Sequence, residues 1–234
     1  MIKRIRLATA KQGLGREEFA GGWREAVAAA ASAPARARPA RLTVSVSLPE
    51  IAADQRHDGV ALEWFSDREH LRRFESWLGT PAGRAVQVLR SEVIEHDDSP
   101  VVLADERVVG GSDWLDRRWR EDGPKLKQLA IATRADGLTL PVFLERWRGR
   151  TGPVGAGPIP DAFRGLASVQ NHPLADDGRE WAYDAIDEVY FDDADSLLAR
   201  IAYLERELAG GAGSDLVRRS WFLAVSEDPI RLPL

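Results

Sequence analysis

Four stretches of the first half place apolar residues at every second position, or in short runs bounded by turn residues: 2–10, 41–48, 60–65 and 101–108. These patterns predict strands. After the first strand the period lengthens to that of a helix over 16–33. It does so again over "REHLRRFESWL", which follows Asp67, a residue whose side chain suits the free N–H groups of a first helical turn. The second half repeats the series, with strands over 125–134, 167–172, 185–191 and 221–225. Its helices run over 140–150 and over "SLLARIAYLEREL" after Asp193 or Asp195. The order in each half is βαββαβ, the split ferredoxin-like unit.

The repetition extends to the residues. Shifted by 124 positions, "LATAKQGLGREEFAGGWR" lies over "IATRADGLTLPVFLERWR" without a gap, Leu42 lies on Leu166 and Pro49 on Pro173. With two more residues inserted, "DGVALEWFSD" overlays "DAIDEVYFDD". This reads as a tandem duplication. Phe19 and Trp23, like Phe143 and Trp147, sit four apart on one helix face and dock each helix on a sheet. The expected architecture is α+β, with domains over 1–109 and 124–234 joined by a linker over 110–123. A unit with helices on one face of its sheet leaves the other face to be covered. The two sheets are therefore expected to pack face to face, which makes the chain its own dimer: a monomer as pseudo-dimer, or a homodimer of pseudo-dimers.

Composition narrows the function classes. With 44% hydrophobic and 29% charged residues among 234, the chain reads as an ordinary soluble globular protein. Its net charge of -5 and lack of a basic stripe with aromatics argue against nucleic acid. No apolar run reaches the roughly 18 to 20 residues that span a bilayer, and "MIKRIRLATAKQG" lacks the apolar core of a signal peptide. No membrane partner and a cytoplasmic location are expected. There is no Cys, and His57, His70, His96 and His172 form no H-x-x-x-H pair, so no metal is expected. The preference for Ala, and for Arg over Lys, suggests a bacterial source of high GC content.

"DGLTLPVFLERWRGRTGP", "GLASVQNHPL" and "YDAIDEVYFDDADSL" together resemble the EthD family, within the dimeric α+β barrel superfamily. The first half is similar through "QGLGREEFAGGWRE", "DGVALEWFSD" and "GTPAGRAV", so the resemblance covers nearly the whole chain. It implies a pocket between sheet and helices, small apolar or aromatic substrates, and cofactor-free cyclisation, dehydration or decarboxylation. The family's Trp-x-x-x-His-Gly-Pro pattern is present in part as Trp147, Gly152 and Pro153, with Thr151 in place of the His.

The polar candidates fall in the second half. His172 is the candidate general acid or base, since imidazole titrates near working pH; the alternative is that Asn171 and His172 cap the strand end before Pro173. Glu188 interrupts an apolar strand where the first half has Leu62. It reads either as a second catalytic carboxyl or as a strand residue bonded to an Arg such as Arg148 or Arg164, or exposed to water. Asn171 and Tyr190 are candidates to hold a substrate oxygen, with Thr151, Trp147, Phe163 and Tyr183 as further substrate contacts. Asp187 and Asp192 are expected to face solvent. The Gly- and Pro-rich segment 151–165 reads as a lid carrying Val154, Ile159 and Phe163, or as a plain connector.

The expected function is cofactor-independent acid/base chemistry on a small aromatic or polyketide-like molecule, with His172 and Glu188 as catalytic residues. The alternative is a non-catalytic carrier or accessory protein that holds a hydrophobic small molecule in the same pocket. A haem protein would require His172 as axial ligand.

Overall fold

The computed structural model describes residues 1–52, 56–118, 120–121, 123–149, 159–175, 180–210 and 215–233. Thr151 and Val154 lie outside the described residues. The chain runs β1 (Ile2–Ala8), α1 (Arg16–Ala28), β2 (Arg41–Ser47), β3 (Gly59–Phe65), α2 (Arg68–Leu78), α3 (Pro81–Val93), β4 (Val101–Gly110) and α4 (Ser112–Arg118). It continues through β5 (Lys125–Arg134), α5 (Leu140–Trp147), β6 (Ala167–Pro173), β7 (Ala185–Phe191), α6 (Ala194–Ala209) and β8 (Val217–Pro229). Side-chain caps start three helices: Asp67 accepts from His70 N at 2.8 Å, Thr80 from Gly83 N at 3.2 Å, and Asp193 from Ser196 N at 2.7 Å. Asp193, not Asp195, is therefore the α6 cap.

The sheet arrangement differs from the expectation. The eight strands do not form two ferredoxin-like sheets stacked face to face as a dimeric α+β barrel; they join edge to edge in one closed barrel, ordered β1-β3-β2-β8-β5-β7-β6-β4. Stacking would cover apolar faces but leave backbone N–H and C=O groups bare along every sheet edge. Closure removes the edges altogether.

Two compact units divide the chain. The first gathers residues 1–47, 56–104 and 227–234. Its antiparallel ladders pair Ile5 with Leu62 and Thr43 with Leu62. Phe19 and Trp23 of α1 are buried, and each contributes about 2–3 kcal/mol of apolar burial. Gly59 admits the Trp23 ring: a Cβ there would lie 2.6 Å from the indole nitrogen. On the same sheet face Glu63 is buried between two guanidinium groups, Arg4 at 2.7 Å and Arg90 of α3 at 3.0 Å. Burial alone would push this carboxyl up, but Arg4 and Arg90 outweigh it and hold it below the usual carboxylate range. The chain's C-terminal residues complete this unit. Thr43 Oγ1 donates to Glu227 at 3.0 Å, and Ile230 N donates to Leu42 O at 2.9 Å.

The second unit gathers residues 48–55 and 105–226. Here β7 is the middle strand of three, with Leu129 opposite Glu188 on β5 and Val169 opposite Glu188 on β6. Alternation gives the sheet two faces. One carries Gln128, Ala130, Ala132, Ala185, Asp187, Val189, Phe191 and Gln170 against α5 and α6; the other carries Lys127, Leu129, Glu188, Tyr190, Val169 and Asn171. Gly165 leads into β6 with φ +73°, and a Cβ there would lie 2.5 Å from Val189 Cγ1 and 2.8 Å from Tyr190 O. Gly165→Ala is expected to destabilise the fold by about 1–3 kcal/mol. An unchanged urea midpoint for that variant would contradict the close approach of this turn to β7. Among the described residues, no helix is long and apolar enough to cross a membrane.

Candidate functional site

The first face of the second unit is apolar at both ends and polar in the middle. Ala132 and Ala185 pack with Phe143 and Trp147 of α5, while Ala130, Val189 and Phe191 pack with Leu197, Ile201 and Leu204 of α6. Asp187 lies on β7 between these two clusters. Its neighbour on β6 is Gln170, directly opposite, and its neighbour on β5 is Ala130, with Gln128 one pleat further on.

Among the described residues Asp187 has a single side-chain donor, the indole N–H of Trp147, which reaches Oδ1 at 3.1 Å. Burial pushes the carboxyl up to about 7; the Trp147 bond and the charge of Arg200 pull it down, and the charge of Glu188 pushes it further up. The contrast with Glu63 is one of charge compensation. Glu63 has two guanidinium partners and is locked in its ionised form, whereas Arg200 of α6 spends its Nε on Gln128 Oε1 at 2.6 Å and another N–H on Phe163 O. Asp187 is left able to exchange a proton near neutral pH.

His172 is buried and follows Gln170 by two residues, so it shares the Asp187 face. His172 is thus a diagonal neighbour of Asp187, and such neighbours across an antiparallel pair lie roughly 7–8 Å apart. Burial lowers its pKa, and the charges of Arg148 and Arg107 lower it further, with Asp105 opposing. The imidazole is neutral at pH 7. Its Nε2 is buried with no hydrogen-bond partner among the described residues.

Glu188 is on the opposite face. Its carboxylate takes Lys127 Nζ at 2.9 Å, Tyr190 Oη at 2.7 Å and Asn171 Nδ2 at 2.9 Å, and both members of the ion pair are fully buried. The partner of Glu188 is thus Lys127, not Arg148 or Arg164. Asn171 also donates to Ile186 O at 2.8 Å. Trp114 and Arg118 of α4 rest against the Tyr190 ring, at 5.2 Å between rings and 4.4 Å from the guanidinium. The expected pair of His172 and Glu188 is therefore split across the sheet, as are Asn171 and His172.

The remaining candidates are spread out. Trp147 joins the Asp187 face; Phe163 stacks on Tyr203 at 4.7 Å, and Tyr183 meets Trp221 edge-on at 5.1 Å. Thr151, and with it the first half of the expected lid, is outside the described residues; Ile159 is buried in the α6 cluster. The residue missed from sequence is Asp187, expected in solvent and found buried. Its signal was there: Ala185, Asp187, Val189 and Phe191 alternate, which puts the Asp on an apolar face. Arg200 and Gln128 gave no comparable signal, because their pairing joins residues 72 positions apart. The β6 register also revises the repeat: Asn171 faces Ile186 as Ser45 faces Val60, so its counterpart is Ser45 and that of His172 is Val46. The extra two residues fall before β6.

No family model matches the sequence, and no curated protein is similar to it, so the resemblance to the EthD family rests on the quoted motifs alone. Among the solved structures to which this chain is similar are two of proteins named putative monooxygenases. The one from Fusobacterium nucleatum subsp. nucleatum has a TM-score of 0.52 at 11% identity, covering 98% of this chain and 92% of that chain. The one from Lactobacillus acidophilus has a TM-score of 0.48 at 10% identity, covering 97% and 93%.

Proposed function

We propose that the second unit is an enzyme site that moves a proton on a small apolar or aromatic molecule, with Asp187 as the acid/base group. The observation that carries this reading is a buried carboxyl set between two apolar clusters with one neutral side-chain donor among the described residues, its pKa pushed up to about 7 by burial. A general base works best when its pKa lies near the operating pH, and His172, pushed down by burial and two guanidinium groups, is the poorer base. Its neutral ring serves as a hydrogen-bonding group for the bound molecule. Lys127, Glu188, Tyr190 and Asn171 form a buried network on the other face of the sheet.

The chemistry requires no cofactor for the proton step, and cyclisation, dehydration and decarboxylation of a polyketide-like aromatic molecule each contain one. The name of the Fusobacterium protein suggests a further outcome, in which the deprotonated molecule reacts with dioxygen. Purified full-length chain is to be incubated with a panel of aromatic and polyketide-like ketones and phenols. Products are followed by mass spectrometry and oxygen uptake by electrode.

Asp187→Asn is expected to lose about 100-fold or more in turnover, and His172→Ala about 10-fold, as for loss of one hydrogen bond to the bound molecule. Turnover that survives Asp187→Asn would remove this reading. Tight binding by the native chain with no turnover would instead favour a carrier.

A further inference from the structure

Gln128 is fully buried, and its amide is oriented by chemistry: Arg200 can only donate, so its Nε bond at 2.6 Å fixes the Gln128 carbonyl oxygen toward α6. The NH2 end must then face elsewhere. It is buried and has no hydrogen-bond partner among the described residues. An unsatisfied buried amide costs about 1–3 kcal/mol, and native structures retain such groups where a ligand or a bound water completes them. This one stands on the Asp187 face, one pleat along β5 from the residue opposite Asp187. Arg200 ties the two together, bonded to Gln128 and acting by its charge on Asp187.

We propose that the Gln128 NH2 receives the oxygen of an enolisable carbonyl substrate whose α-proton is taken by Asp187. The inference rests on the reading of Asp187 as the base. In the step, the α C–H bond breaks, its proton goes to the Asp187 carboxylate, and the electron pair moves through the new C=C bond onto the carbonyl oxygen. The charge that develops there meets a preorganised N–H donor in a site walled by apolar residues, where such a donor acts most strongly. Reprotonation at carbon restores the ketone. The minimal reaction is therefore exchange of the α-hydrogen with solvent, which needs no knowledge of the natural substrate.

The probe is 2-tetralone, an aromatic ketone with acidic α-hydrogens, and the measurement is deuterium incorporation in D2O followed by NMR with the full chain. The native protein is expected to accelerate exchange above buffer, with a rate that rises through about pH 7 as Asp187 ionises. Gln128→Met, similar in volume but without a donor, is expected to lower the rate about 100-fold. Gln128→Glu keeps an acceptor for Arg200 and so guards against a folding artefact; its plateau rate at high pH falls likewise, and its pH profile moves upward because of the added charge.

Plateau rates unchanged in both Gln128 variants, with Asp187→Asn inactive, would overturn the role of Gln128 and leave the base in place. Exchange undiminished in Asp187→Asn would overturn the base itself. No acceleration by the native protein of 2-tetralone, or of its monocyclic analogue phenylacetone, would overturn the substrate class.

Discussion

Asp187→Asn should make the protein more stable than the native chain at pH 8 and no more stable at pH 4. The native carboxyl has its pKa raised from 3.8 to about 7, burial being the main cause. Between those values the folded state holds a proton that the unfolded state has released. Stability from this group is therefore fully present below about pH 4 and declines as pH rises toward 7, levelling off above it. A shift of about three units corresponds to a loss on the order of 4 kcal/mol. Asn is neutral at every pH, and its side-chain oxygen still accepts the Trp147 N–H, so the variant escapes that loss. Urea unfolding of both proteins at pH 4, 6 and 8 reads the difference directly. Parallel stability curves would mean that Asp187 ionises as freely in the fold as in the unfolded chain. The gain in stability and the loss of turnover expected from one substitution are the signature of a group kept at a cost to the fold.

Glu188→Leu is expected to have the opposite effect, a loss of about 3–5 kcal/mol, although it installs the residue that the first half carries in the corresponding strand. The cost comes from what is left behind. Lys127 is fully buried and bonded to Glu188 at 2.9 Å, while Tyr190 and Asn171 donate to the same carboxylate. Removing the anion takes from a buried cation and two donors the acceptor they share. Lys127→Met combined with Glu188→Leu should recover most of the loss, since an apolar pair of similar volume replaces a buried ion pair at little net cost. If Glu188→Leu alone changed the urea midpoint by less than about 1 kcal/mol of stability, the network would be slack rather than structural.

Local features of this fold are legible in the chain. Short runs rich in apolar and aromatic residues mark β3 and β7, and the helix-period pairs Phe19 with Trp23 and Phe143 with Trp147 mark the buried sides of α1 and α5. Asp67 announces α2. The closure of the strands is not legible, because alternation reports which face of a strand is buried and says nothing of which strand its edge will meet. Helix α3 is not legible either: its Gly, Arg and Gln positions leave only a narrow apolar stripe. The site was half legible. His172 and Trp147 are legible by residue type, while Asp187 is legible only through its strand parity, since a charged residue by itself points to solvent. Gln128 and Arg200 are ordinary polar residues until their long-range bond is seen.

The C-terminal segment that completes the first unit has a consequence for biosynthesis. Residues 227–234 supply Glu227 to Thr43 and the Ile230 N–H to Leu42, and Asp228 meets Arg24. During translation the first hundred residues emerge from the ribosome well before these partners exist. They must wait, with β2 incompletely bonded and its Thr43 hydroxyl without its carboxylate, until residues 227–230 are made. A nascent chain stalled near residue 109 should therefore be more open to protease than the finished protein. Deletion of residues 227–234 should loosen residues 1–47 and 56–104 rather than residues 105–226.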